Sequence, residues 1–375
     1  MIYFDNASTT KPSDLVLKEY LEESKNNYAN PSSINKLGVD IFFKVERIKK
    51  HILNALNLSN NYEIIFTSGA TESNNLAILG YCFKNMNRGK RIITSLVEHA
   101  SVLNVFKYLA TEGFEVIYLN VDNEGNISFE ELQKSLNDKT ILVSLMGVNN
   151  EIGSILNLDE VHSLVTKFPR CVFHSDCAQA LGKVDLSYSM LDMITISGHK
   201  IHGLKGIGAL IKRKNISITP LFYGGGQQEN LRSGTIDYPA ISAFSLAIDN
   251  ALKTSKENYL KVESIFNYLY EKLKNNEEVV INSPFISSKY IFSLSLKTKR
   301  ASVVVEALSN EEIYLNTTSS CDSRKDEPSH VIMALNNNLK LAKNTLRLSF
   351  SYENTLEEAK IFLDSFLKIL KNIRG

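Results

Sequence analysis

Little in this 375-residue sequence leans strongly in one direction, and each shortage removes a functional class. Cysteine is scarce: Cys82, Cys171, Cys177 and Cys321 are the four present, at no recognisable spacing. That excludes a disulfide framework and fits free thiols in a reducing cytosol. No run of about 18 apolar residues occurs, so no membrane span is expected. Neither sign of charge dominates, with 42 Lys+Arg against 41 Asp+Glu. A net charge of +1 gives no electrostatic reason for direct nucleic-acid or membrane binding. The start, MIYFDNASTT, lacks the basic and apolar regions of a secretory signal and the Arg/Ser bias of a transit peptide, so a cytoplasmic protein is expected. There is no GxxxxGK[ST] loop. Gly203-Leu-Lys-Gly206-Ile-Gly208 precedes a strand instead of opening a helix, which removes the dinucleotide reading. No internal repeat or low-complexity tract is visible.

What is present is a regular alternation. Short apolar runs at 63–67, 91–95, 114–119, 140–146, 171–175, 193–197 and 208–211 read as strands with little polar alternation. Amphipathic stretches at 72–83 and 100–109 read as helices between them. Ser128-Phe-Glu-Glu131 reads as a reciprocal capping box opening another helix. Strands buried on both faces and separated by helices imply an α/β domain with a mostly parallel, helix-covered sheet. The length suggests a second domain. From 240 to 270 the helical pattern is nearly continuous, interrupted only near 254–258, and beyond it come short strands, two helices and a charged C-terminal helix. The expected division is a large domain over 12–255 and a smaller α+β domain from 1–11 and 256–375. The stretch 316–328 reads as a long polar loop, and it carries Cys321.

Four groups fall at the C-terminal ends of predicted strands, where ligands of open α/β sheets collect. Thr67-Ser-Gly-Ala-Thr-Glu72 is either an anion seat at a helix N-terminus or an ordinary capped turn. Lys200, in Ser197-Gly-His-Lys200, is either a desolvated nucleophilic amine able to form a Schiff base or a solvated turn lysine. Asp176, in His174-Ser-Asp-Cys-Ala-Gln179, is a buried acid in need of a cation. A metal site of Cys171, His174, Asp176 and Cys177 fails, because strand alternation puts Cys171 and His174 on opposite faces. His99 follows the strand 91–95. No one of these is specific; four on one sheet edge are.

With Tyr3-Phe-Asp-Asn-Ala, Asn30-Pro-Ser-Ser33, Val148-Asn-Asn-Glu-Ile-Gly153, Gly224-Gly-Gly226, Arg232-Ser-Gly-Thr235 and Arg347 added, the chain resembles almost end to end the cysteine desulfurases of the NifS/IscS type. These belong to the class V aminotransferase group of fold-type I pyridoxal-phosphate enzymes. The resemblance implies pyridoxal 5'-phosphate held by Lys200, which also shuttles the Cα proton. It implies that Asp176 protonates the ring nitrogen, Gln179 bonds the ring hydroxyl and His99 stacks on the ring as an acid–base partner. Ala70, Thr71, Ser197 and His199 match phosphate contacts, and Thr235 matches one supplied by a neighbouring subunit, hence a homodimer with composite sites. Asn150 matches a cofactor and substrate contact, and Arg347 the bidentate clamp on the substrate carboxylate. Cys321 matches the thiol that receives sulfur as a persulfide. The implied reaction takes sulfur from L-cysteine, leaves L-alanine and passes the sulfur to an acceptor protein, a scaffold for iron–sulfur assembly or a tRNA-thiolation enzyme. The alternatives are a selenocysteine lyase or aminotransferase of the same fold, or a non-catalytic sulfur-transfer subunit.

Overall fold

The computed structural model describes residues 1–317 and 327–372, so Cys321 lies outside the described residues. A seven-stranded sheet is ordered Tyr62–Thr67, Gly208–Arg213, Met193–Ser197, Val172–Asp176, Thr140–Ser144, Arg91–Ser95, Glu115–Leu119. Thr140–Ser144, Val172–Asp176 and Met193–Ser197 are buried at every residue, as their lack of alternation requires. Neighbouring residues feed opposite cores. Ile64, Ile93, Val143, Ile194 and Ile211 enter one cluster, while Ile65, Ile92, Leu142, Met193 and Leu210 enter another on the far face. Helices Ala70–Asn85 and Ala100–Thr111 contribute to the second face, and Lys36–Ala55 and Tyr238–Lys253 to the first.

The sheet is mixed at one side. Gly208–Arg213 runs antiparallel to both neighbours, while the other pairings are parallel. The connection from Met193–Ser197 holds only a short 3-10 turn, Gly198–Lys200. A parallel return needs a crossover of a dozen or more residues, so the chain doubles back.

A four-stranded antiparallel sheet is ordered Asn316–Thr317, Thr345–Ser349, Ile291–Leu296, Val279–Ile281. It shares a separate core with Val262, Phe266, Phe362 and Phe366 from the helices Ser255–Leu273 and Leu356–Asn372. The N-terminus joins this core: Ile2–Tyr3 pairs in parallel with Ile313–Tyr314, and Phe4 packs edge-on to Phe350 at 5.1 Å.

The helical stretch 240–270 is interrupted where the sequence suggests, as two helices, Tyr238–Lys253 and Ser255–Leu273. Thr254 breaks them, its hydroxyl bonding back to the Asn250 carbonyl at 2.8 Å. Two local expectations are corrected: the loop 316–328 begins as a strand, with Asn316 opposite Arg347, and the capping box is not reciprocal. Ser128 does cap its helix by accepting from the Glu131 N–H at 3.2 Å. The Glu131 carboxylate, however, reaches to the N–H and side chain of Asn120 instead, at 2.9 and 3.0 Å, so the box is not reciprocal. Among the described residues no helix is long and apolar enough to cross a membrane.

Candidate active site

The strands Tyr62–Thr67, Arg91–Ser95, Thr140–Ser144, Val172–Asp176 and Met193–Ser197 end at one edge of the large sheet, and the segments leaving them line a cavity of about 520 Å³. Ala70, Thr71, His99, Asn150, Asp176, Gln179, His199, Lys200 and Arg347 all face it. Ser197 lies immediately beneath, its buried hydroxyl without a partner among the described residues and 3.7 Å from where a Cβ on Gly69 would stand. Thr235 is exposed and faces none of this cavity.

One wall is the start of helix Ala70–Asn85. Its N-cap is Gly69, at φ 147°, a backbone region that side chains disfavour. With no capping side chain, the first N–H groups of the helix remain available to an anion. Glu72 in that first turn would oppose an anion. Burial pushes its carboxyl up, but Arg232 at 2.9 Å and the Ser68 N–H at 2.7 Å outweigh burial and hold it below the ordinary range. Arg232 thereby cancels the charge of Glu72 beside the seat. His199, bonded through Nδ1 to the Thr9 hydroxyl at 3.3 Å, is pushed down to about 4 by burial and then by Lys200, so it stays neutral.

The opposite wall is a linked chain of polar groups. Asp176 is buried and accepts from Asn74 at 2.7 Å and from the Ala178 N–H at 3.0 Å. Among the described residues it has no cationic partner, which leaves a buried carboxylate half satisfied. The same Asn74 amide donates to the Ser101 hydroxyl at 2.9 Å, which lies 2.8 Å from His99 Nδ1. That nitrogen also accepts the Ser101 N–H at 3.1 Å, making His99 the N-cap of helix Ala100–Thr111. A capping lone pair must be unprotonated, so the neutral ring carries its proton on Nε2. Burial lowers the His99 pKa, against the pull of Asp176.

Lys200 and Arg347 meet at the N-terminal segment. Lys200 Nζ donates to the carbonyls of Ala7 at 2.6 Å and Ser8 at 2.7 Å. Arg347 donates to the Asn150 carbonyl at 3.0 Å, Asp5 at 3.2 Å and the Ser8 hydroxyl at 2.6 Å, while its buried Nε has no partner among the described residues. The reading from sequence assigned no role to Asp5, Ala7, Ser8, Asn74 or Lys183. Only the Tyr3-Phe-Asp-Asn-Ala landmark hinted that the N-terminal segment belongs here. Glu98, beside His99, is also part of the site's surroundings: it is buried, accepts from Ser95 at 2.7 Å and the Met146 N–H at 3.1 Å, and is pushed up by burial to about 8.

The unmet demands of this cavity match pyridoxal 5'-phosphate. Asp176 lacks a cation, which a protonated ring nitrogen supplies. The uncapped helix end, Ser197 and His199 offer donors for a phosphate, and Lys200 offers an amine for the aldehyde carbon. Arg347 Nε is left for a carboxylate.

The class-V aminotransferase family matches residues 2–362. A NifS/IcsS protein homolog of Lactobacillus delbrueckii subsp. bulgaricus is 40% identical, covering 99% of this chain and 98% of its own. A cysteine desulfurase IscS of Methanosarcina thermophila is 35% identical, covering 100% of this chain and 93% of its own. A solved structure of a NifS-like protein superposes with a TM-score of 0.92 at 34% identity, over 99% of this chain and 100% of its own. With its α/β architecture and a match over nearly its whole length, the chain belongs to the class-V aminotransferase family.

Proposed function

We propose that this protein is a pyridoxal-phosphate-dependent cysteine desulfurase, which takes sulfur from L-cysteine and receives it on Cys321. Full-length relation to curated desulfurases supports the reaction class and its cofactor; the residue roles are our own assignment. The observation that carries them is the gathering of Lys200, Asp176, His99 and Arg347 on one cavity.

When bound, the cofactor supplies an electron sink for charge developing at the substrate Cα. Asp176 keeps the ring nitrogen protonated, and Gln179 bonds the ring oxygen. Ala70, Thr71, Ser197 and His199 hold the phosphate. Lys200 holds the cofactor and moves the Cα proton, with His99 Nε2–H as its acid–base partner. Arg347 and Asn150 hold the substrate by its carboxylate, which takes the place Asp5 shares on the guanidinium. The Cys321 thiolate attacks the substrate sulfur. A sulfur–sulfur bond forms and the carbon–sulfur bond breaks. Its electron pair stays with the carbon fragment, which gains a proton and leaves as L-alanine.

Two observations favour Cys321 as acceptor. Burial raises the thiols of Cys82 and Cys171 and pushes Cys177 up to about 12, so none of the three supplies a thiolate. The chain on both sides of 318–326 is also tied to the site. Asn316 donates to Asp5 and the Ser8 hydroxyl at 3.3 Å, and His330 Nε2 bonds the Glu98 carbonyl at 2.9 Å.

A homodimer is part of this reading. Thr235 is exposed and does not line the active-site cavity of its own chain, and Leu15, Leu21, Leu37, Phe42 and Phe43 are exposed apolar side chains on helices Asp14–Asn26 and Lys36–Ala55 that a second copy would cover. We further assign 12–255 to the large domain and 1–11 with 256–375 to the small one, supported by their separate cores. We assign the protein itself to the cytoplasm and its acceptor to an iron–sulfur scaffold or a tRNA-thiolation enzyme.

The test is incubation of the holoenzyme with L-cysteine. Stoichiometric L-alanine and a persulfide mapped to Cys321 are expected. A keto acid product would identify a transaminase, and undiminished sulfide release by Cys321→Ser under reductant would remove Cys321 from the reaction.

A further inference from the structure

Four residues after Gln179 stands a second lysine that the assigned roles do not use. Lys183 is half-buried at the edge of a separate cavity of about 350 Å³, and its Nζ donates to Gln179 Oε1 at 2.8 Å. The other end of the Gln179 amide, Nε2, donates to the Ala7 carbonyl at 2.9 Å. That carbonyl also receives Lys200 Nζ at 2.6 Å. Among the described residues the amide nitrogen has no second acceptor, and Gln179 faces the active-site cavity.

We propose that Lys183 is a positioning residue that fixes the Gln179 carboxamide with its NH2 group toward the cavity, so that the cofactor's ring oxygen meets a donor. The proposal rests on the cofactor reading above. A glutamine amide has nearly equal ends and can turn over, presenting oxygen where nitrogen stood. Here chemistry decides which end points where. An ammonium has no lone pair, so the atom facing Lys183 must be an acceptor; a carbonyl has no proton, so the atom facing Ala7 must be a donor. Both constraints select one orientation. Turned over, the amide would set its oxygen against the ring oxygen and lose both bonds.

The surroundings make Gln179 the oxygen on which this ammonium depends. Among the described residues its charged and titratable neighbours on this side are Lys200, Arg347, His199 and His202, none of them an anion. Glu257 and Lys261 line the same cavity but pair with each other at 2.8 Å, and the Tyr290 ring stands 5.9 Å away. Burial first, then Lys200 and Arg347, lower the Lys183 pKa to about 7. Below that pH Lys183 is an ammonium and can only donate to Gln179 Oε1; above it the Ala7 carbonyl still selects the same orientation.

A donor on the ring oxygen draws density from it and weakens its hold on the proton it shares with the Lys200 nitrogen. Loss of that donor therefore raises the pH midpoint at which the absorbance of the bound cofactor changes. The experiment titrates that absorbance in holoenzymes of wild type, Lys183→Met, Lys183→Arg, Gln179→Ala and the Lys183→Met/Gln179→Ala double variant, with PLP dissociation constants measured by equilibrium dialysis. The expected result is an upward shift for Gln179→Ala of about one pH unit, the tenfold scale of a hydrogen bond to a charged oxygen. Lys183→Met shifts the same way by about half as much, and Lys183→Arg, which still donates, restores most of it. The double variant equals Gln179→Ala alone, because Lys183 acts through Gln179. A Lys183→Met midpoint at the wild-type value overturns the proposal. So does a shift that adds fully to that of Gln179→Ala, which would mark a charge acting through space. Failure of the wild-type protein to take up PLP would instead overturn the site reading beneath it.

Discussion

Glu98 is a buried acid placed where its ionisation works against the fold, and Glu98→Gln measures by how much. Its carboxyl is pushed by burial to about 8, against the donation from Ser95 and the Met146 N–H. A carboxyl raised from about 4.3 in the unfolded chain binds its proton more tightly when folded. Its contribution is therefore intact at low pH and is lost as pH rises toward and through the folded value. Histidines complicate the acid side: His174, His199 and His202 are pushed down to about 4 and gain stability as pH rises to about 6.5. Above that they are neutral in both states. Between pH 6.5 and 8 the Glu98 contribution falls by about 1.5 units × 1.36, or about 2 kcal/mol. Glutamine keeps the shape and an oxygen for Ser95 and Met146 but cannot ionise. Urea unfolding of both proteins at saturating PLP, across that window, should show Glu98→Gln gaining about 2 kcal/mol on wild type from pH 6.5 to 8. Taking the difference cancels the opposite drift from Lys183, lowered to about 7. A difference that stays flat would refute the reasoning, since it would mean Glu98 titrates alike in both states.

Three further outcomes are expected. His99→Asn keeps a capping oxygen for helix Ala100–Thr111, so its melting temperature should match wild type while alanine formation falls about 10²-fold or more; His99→Ala should also lose about 1 kcal/mol of stability. Arg347→Lys keeps the charge but not the fork that reaches Asn150, Asp5 and Ser8, so kcat/KM for L-cysteine should drop about ten- to hundredfold, mostly through KM. Gly69→Ala meets no close atom but must adopt φ 147°, so it should cost about 1 kcal/mol in urea unfolding and weaken PLP binding at the helix end.

The large α/β domain was legible because its signals are local. Runs such as Thr140–Ser144 and Met193–Ser197 are apolar at nearly every position, and only burial on both faces tolerates that. Strand ends then put Lys200, Asp176, His99 and the 67–72 turn on one edge without any knowledge of their distances. The resemblance supplied Arg347 and Gln179, which no periodicity marks. Capping was half legible: Ser128 met its N–H partner within three residues, but the Glu131 carboxylate accepted from competing donors on Asn120, eleven residues upstream.

Tertiary structure alone decided what joins across long stretches of chain. The direction of Gly208–Arg213 was set by the shortness of the link before it, and the strand at Asn316–Thr317 by pairing to Thr345–Ser349. Asp5, Ala7 and Ser8 reach Arg347 and Lys200 from the far end of the sequence, and Asn74 ties Asp176 to His99 through Ser101. Those contacts depend on where two separately buried cores come to rest, and a hydrogen bond between such positions leaves no pattern in the order of residues. The sequence by itself determined which chemical groups the protein would own and on which strand ends they stand. The folded chain decided which lone pairs and protons they turn toward the cavity, because donors and acceptors are matched by distance and direction in space.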